Sequence, residues 1–277
     1  MNRNKPVLVT TDGSVHSHRV LPHATLLATA LNVPLILLQV PDEAEADASR
    51  AREAAIATLT RLGIAGEVLV EAREGRERTA EAVLRVAERL DAAVLAIDSR
   101  GHGALRHALH GSVALEVLGA ARLPLLVSGP LVELPAPEAA PYRIVATSDG
   151  SPASAAVLHA LGALAGDGGF ELTLLRVHEH EPGGHDNEAA MQSCRDELEA
   201  ARGLLPASLS VETVVREIPR GAGVDTTIIE KAQELGAHAI AISTHGYSAR
   251  RHVVMGSVAL TLLGRSPLPL LLARAEV

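Results

Sequence analysis

The chain reads as an α/β protein made of two tandem, open, five-stranded parallel sheets flanked by helices. Three observations predict this. Apolar runs of strand length alternate with helical patterns along the chain, which is the signature of parallel sheets. The strand end VLVTTDGS at residues 7–14 returns as IVATSDGS at 144–151. A second pattern, two glycines with nine residues between them and a serine after, runs from Gly101 to Gly111-Ser112 and again from Gly246 to Gly256-Ser257.

The repeat has a register. Asp12 and Asp149 are 137 residues apart, as are Val40 and Val177. Gly101 and Gly246 are 145 apart, as are Pro124 and Pro269. The second copy therefore carries eight extra residues in its middle, near the His- and acid-rich stretch 178–188. A period this long is a duplicated domain and not a solenoid, whose repeats run roughly 20–50 residues.

In the first unit the apolar runs predict strands near 7–11, 34–40, 67–72, 93–97 and 124–128. Helices are expected near 17–31, 44–62, 78–90 and 112–121. Ala80, Val83, Leu84, Val86, Ala87 and Leu90 follow a 3.6-residue period, whereas the run 35–40 is a buried strand. The second unit repeats the order, with strands near 143–148, 171–177, 210–217, 238–243 and 269–273. Residues 129–141 hold four prolines and no period, so they form the linker between domains 1–128 and 142–277. Right-handed βα connections place helices on both faces of each sheet.

Composition narrows the function. Each half of the 277 residues is long enough to bury a core. Trp is absent and Phe and Tyr together number three, so the cores are built from Leu, Val, Ile and Ala. A net charge of −8 argues against nucleic acid as the partner, because phosphate backbones demand a basic face. Cys194 is the single cysteine, which excludes an intrachain disulfide. No apolar run reaches the roughly 18–20 residues of a membrane span. With no signal-peptide pattern at the N-terminus, a cytoplasmic protein without membrane partners is expected.

In open α/β sheets ligands bind beyond the carboxyl ends of the strands, where strand order reverses. Asp12 ends the first strand and Gly101 follows the fourth, so the two patterns face one crevice in each unit. A carboxylate there accepts hydrogen bonds from ribose hydroxyls or a base amino group. Gly111-Ser112 and Gly256-Ser257 precede apolar helical segments, which places their amides at helix N-termini, an anion-binding position. Asp-Gly-Ser is also ordinary turn and cap chemistry, and a single copy would favour that plainer account. Two copies at matching topological positions reverse the balance. Neither pattern is a Walker A loop or a Gly-x-Gly-x-x-Gly fingerprint.

These features together resemble the universal stress protein family in its tandem two-domain form. The resemblance covers nearly all of both halves and includes the closing LPLL strands at 123–126 and 268–271. It implies a Rossmann-like sheet of the adenine nucleotide alpha-hydrolase type, with ATP binding in the branch that carries Gly-two-Gly-nine-Gly-Ser/Thr. Carried over, Asp12 and Asp149 match the carboxylate beside the adenosine, and Val40 and Val177 the strand end that holds the base. Gly101, Gly111, Ser112 and Val113 match the phosphate loop of the first unit, as Gly246, Gly256, Ser257 and Val258 do in the second. The leading glycine is replaced by Asp98 in the first unit and by Ser243 in the second. Ser243 is small, but Asp98 brings a carboxylate that repels phosphate by ~1 kcal/mol in water and by several where poorly solvated. The second site is therefore the stronger candidate. The resemblance further implies that strands 123–127 and 268–272 meet across a pseudo-two-fold axis, an intramolecular pseudo-dimer, leaving open a homodimer of whole chains.

Other residues carry less. His178, His180 and His185 have the chemistry of a weak metal site, although a solvated loop explains them as well. His102, His245, Arg100, Arg106, Arg250 and Arg251 are candidates for phosphate contact or plain loop residues. The expected function is an adenine-nucleotide-binding stress or regulatory protein, taking ATP, ADP or AMP with or without Mg²⁺. No catalytic constellation is legible, so at most slow ATP hydrolysis or autophosphorylation is expected. The alternative is a protein-interaction or dimerisation module whose nucleotide sites have partly decayed.

Overall fold

A computed structural model describes residues 5–14, 17–41, 45–99, 112–135, 141–166, 169–179, 187–244 and 255–274. The first unit runs β1 (Val7–Thr11), α1 (Val20–Leu31), β2 (Leu35–Gln39), α2 (Glu45–Leu62), β3 (Glu67–Val70), α3 (Thr79–Arg89), β4 (Val94–Asp98), α4 (Ser112–Ala120) and β5 (Leu125–Ser128). The second runs β6 (Tyr142–Thr147), α5 (Pro152–Ala165), β7 (Phe170–His178), α6 (Asn187–Arg202), β8 (Val211–Glu217), α7 (Val224–Glu234), β9 (Ala239–Ser243), α8 (Ser257–Arg265) and β10 (Leu270–Ala273).

Within each unit the neighbouring strands are parallel, and the two units join into one ten-stranded sheet, β3-β2-β1-β4-β5-β10-β9-β6-β7-β8. The join is antiparallel, between β5 and β10, with Leu126 opposite Leu271. Pairing these strands satisfies what would otherwise be two exposed edges. Register repeats with the sequence. Val7 opposite Val94 becomes Ile144 opposite Ala239, and Ile36 opposite Glu67 becomes Thr173 opposite Glu212. The eight extra residues therefore fall between β7 and β8.

Two apolar layers sandwich the sheet, and each spans both units. One collects Leu21 and Leu27 of α1, Leu59 of α2, Leu158 and Leu161 of α5 and Leu198 of α6. The other collects Val83 and Val86 of α3, Val117 of α4, Ile228 of α7 and Leu262 of α8. With no Trp and one Phe, the filling is aliphatic, as strands covered on both faces require. Parallel strands with helices on both faces match the predicted class.

Further contacts tie the halves together. Arg274 donates to the Gly119 carbonyl at the end of α4. Gly129 lies so near the Leu263 carbonyl of α8 that a Cβ would overlap it. The segment after β5 is docked: Glu133 N–H donates to the Pro267 carbonyl at 2.9 Å, and Arg19 Nη1 donates to the Pro130 carbonyl at 2.9 Å. His23 on α1 is buried, with Nε2 2.8 Å from the Glu133 carbonyl. Burial pushes its pKa down to about 4, against the pull of that carbonyl. Tyr142, at the start of β6, stacks on His238 with ring centroids 5.1 Å apart. Burial raises the Tyr142 pKa and lowers that of His238, which also feels Arg143.

Candidate functional site

The repeated Asp-Gly-Ser segment folds the same way twice. In the second unit, Ser151 N–H donates to Asp149 Oδ1 at 3.0 Å, and the Ser151 hydroxyl reaches the same oxygen at 2.6 Å. Ser151 is also the N-cap of α5, accepting from Ser154 N–H at 3.1 Å, with Pro152 opening the helix. In the first unit, Ser14 N–H donates to Asp12 Oδ1 at 2.9 Å and Ser17 N–H donates to the Ser14 hydroxyl at 3.1 Å. Gly13 and Gly150 hold φ of +79° and +74°, a conformation that side chains other than Asn or Asp resist. The turn chemistry is thus real, and it also fixes each aspartate at the end of the first strand of its unit.

Strand order places the Asp149 turn at a crevice. From β6 the chain proceeds outward to β7 and β8, then returns to β9 and β10 on the other side, so the switch point lies between β6 and β9. A cavity of about 300 Å³ opens there. It gathers Asp149, Val177, Ser243, Gly256, Ser257 and Val258, the described members of the second predicted site. Its base is formed by strand ends and one wall by the start of α8. Gly256 is the N-cap of α8 and has no side chain to turn back on the helix, so the first amides of α8 border the cavity.

Sequence reasoning missed part of the lining. Val224 and Ile228 of α7 form an apolar wall, and Thr147, Ser148 and Ser154 add hydroxyls near Asp149. The hydroxyls had a local signal, because they flank the repeated turn. The apolar wall had none, since Ile228 also belongs to the core.

The first unit places its counterparts at equivalent points. Asp12 is exposed after β1, Val40 is half-buried after β2, and Ser112 and Val113 open α4. Asp98 ends β4 opposite Ser128, as Ser243 ends β9 opposite Ala273. Asp98 is only 4% exposed. His18 Nδ1 lies 3.5 Å from the Arg61 guanidinium; burial and that charge hold its pKa below the ordinary value, while Asp12 pulls the other way. Because β5 and β10 run antiparallel, the carboxyl ends of the two sets of strands point in opposite directions, and the Asp12 and Asp149 turns lie at opposite ends of the sheet.

Several predicted residues lie outside the described residues: Gly101, Gly111, Gly246, His102, His245, Arg100, Arg106, Arg250, Arg251, His180 and His185. His178 ends β7, where its Nδ1 is 3.9 Å from the buried Cys194 thiol of α6. Among the described residues no group of three metal-ligating side chains forms, and no helix is long and apolar enough to cross a membrane.

Comparison with known proteins agrees with this architecture. Among curated proteins no match is found. A universal stress protein from Archaeoglobus fulgidus superimposes over 100% of both chains with a TM-score of 0.65 at 19% identity. A putative universal stress protein from Pseudomonas aeruginosa covers 97% of this chain and 92% of its own, with a TM-score of 0.61 at 17% identity. At such identities the likeness concerns the fold. The profile described as "Universal stress protein family" matches twice, over residues 3–128 and 142–274. The chain belongs to the universal stress protein family, with two copies of the family's domain in tandem.

Proposed function

We propose that the second crevice binds ATP or a closely related adenine nucleotide (ADP or AMP), and that the protein acts in the cytoplasm as a stress-response binding protein. In this reading residues 1–128 and 142–277 are two units joined by 129–141, and nucleotide occupancy is mainly a property of the second. The observation that carries it is convergence. Six residues nominated by sequence, from the ends of β7 and β9, the turn after β6 and the start of α8 with its N-cap, line one cavity at the strand-order switch.

The lining suits the ligand. Leu175, Val177, Val224 and Ile228 offer apolar surface to a flat base. Asp149 suits ribose hydroxyls, and the N-terminus of α8 suits phosphate. A cavity of about 300 Å³ is at the lower end of ligand-site sizes, which fits the nucleoside part with the phosphates extending toward α8. Any Mg²⁺ would arrive on those phosphates, since such ions take only one or two protein carboxylates. The reading assigns the crevice no dedicated catalysis. The buried Asp98 favours the interaction-module account for the first unit.

The test is calorimetric titration of the nucleotide-stripped full chain with ATP and Mg²⁺, beside Asp149→Ala and Asp12→Ala. One binding event is expected, lost in Asp149→Ala and kept in Asp12→Ala. No binding by the native chain at millimolar ATP would replace this reading with that of an interaction module.

A further inference from the structure

Arg176 lies on β7 between the cavity-lining Leu175 and Val177, so strand alternation turns it to the opposite face, toward α6. Its Nη1 donates to the Ser148 carbonyl at 3.4 Å, and its Nη2 is 3.3 Å from Glu197 Oε2 on α6. The pair sits against Gly150. A Cβ there would come within 2.8 Å of Glu197 Oε2 and 3.7 Å of Arg176 Nη1. The turn that presents Asp149 is therefore held on one side by the Ser151 cap of α5 and on the other by this ion pair.

Stability alone does not account for the pair. Glu197 is 45% exposed, and ion pairs so open to water contribute little. The Arg176 Nε is buried and has no hydrogen-bond partner among the described residues, which carries a desolvation cost. Nor does the turn need the pair in order to form. In the first unit Gln39 occupies the position of Arg176, and the same Asp-to-Ser backbone bond is made. There Asp12 is exposed, whereas Asp149 is half-buried. Behind the Gly13 turn stands the uncharged Gln39 amide, 3.5 Å from where a Cβ would sit, whereas the second unit puts a charged pair in that place; a carboxylate aimed at paired hydroxyls must be held within fractions of an ångström.

We propose that Arg176 and Glu197 are positioning residues that fix Asp149 for a vicinal diol, so that the second crevice selects ribonucleotides over analogues lacking the ribose hydroxyls. The proposal rests on the nucleotide reading of that crevice. It also accounts for a difference between the units, since Gln39 cannot form the charged clamp. Arg176 and Glu197 touch the turn from behind and need not touch the ligand.

The experiment titrates the full chain with ATP and with 2′,3′-dideoxy-ATP, for the native protein and for Arg176→Gln, Glu197→Gln and Arg176→Lys. The native protein is expected to prefer ATP by about tenfold. Arg176→Gln and Glu197→Gln are expected to weaken ATP to the level of the dideoxy analogue while leaving the analogue's affinity unchanged, and Arg176→Lys to restore part of the preference. A general loosening of the unit would instead weaken both ligands equally, and that result overturns the proposal. So does a preference for ATP undiminished in Arg176→Gln. If the native protein binds neither ligand, the nucleotide reading itself fails, a result distinct from failure of the clamp alone.

Discussion

Leu126 and Leu271 face each other across the β5–β10 junction and are also each other's counterparts in the repeat, 145 residues apart. A residue that pairs with its own equivalent marks the two-fold axis, so the pseudo-symmetry axis passes between these leucines. Both are buried, in the apolar layer shared by the two units. The junction is therefore part of the core and not a surface along which finished domains touch.

Leu126→Ala should cost about 2–5 kcal/mol, because the cavity opens where neither unit alone can collapse to fill it. Leu115→Ala, on the exposed side of α4, should change stability by less than about 0.5 kcal/mol. Urea denaturation of both variants checks the contrast. Equal midpoints would mean that the junction is not a shared core.

Gly129→Ala should destabilise by about 1–3 kcal/mol, since its Cβ would overlap the Leu263 carbonyl of the other unit and backbone must shift. The thermal midpoint reports this directly. An unchanged midpoint would show that the halves separate slightly at no cost.

The buried His23 gives stability a pH dependence. Its pKa falls from 6.5 to about 4 on folding, so between those values the folded chain binds fewer protons than the unfolded one. Stability contributed by the neutral imidazole is complete above pH 6.5 and is lost as the pH falls toward 4, by roughly 3 kcal/mol in all. His238, also lowered, acts in the same direction. Gln at position 23 keeps a donor for the Glu133 carbonyl and does not titrate. His23→Gln should therefore flatten the urea midpoint across this window, and an equally steep profile in the variant would assign the dependence elsewhere.

Asp98→Ser gives the first unit the residue that the second carries at the same strand end. Calorimetry of this variant with ATP should show a second binding event if the buried carboxylate is what weakens the first crevice. A single event, the number expected of the native chain, would place the difference in other residues, among them Gln39.

The Asp-Gly-Ser turns were legible in sequence because their chemistry is local. An aspartate accepting from the second residue beyond it, a glycine at positive φ and a capping serine lie within three positions. The correspondence of the two units was legible because the repeat preserves its spacing, and the ladder pairs of one unit recur in the other at those offsets. The clamp on Asp149 was not, since Arg176 and Glu197 are 21 residues apart on different elements and each alone is an ordinary surface charge. Val224 and Ile228 were invisible for another reason: an apolar residue lining a cavity has the same pattern as one filling a core. The stack of Tyr142 on His238 depends on β6 lying beside β9, a neighbour relation that no local signal encodes.

The covalent bond between the halves alters what the antiparallel junction permits. Two separate chains joined through that strand pair would fall apart on dilution, whereas here the partner strand is always present at a high effective concentration. Two identical chains would also carry every substitution twice. A single polypeptide carries it once, so aspartate can stand at position 98 while serine stands at 243. One half is thereby free to change the residues at its strand ends while the other keeps its own, and the shared sheet survives the divergence.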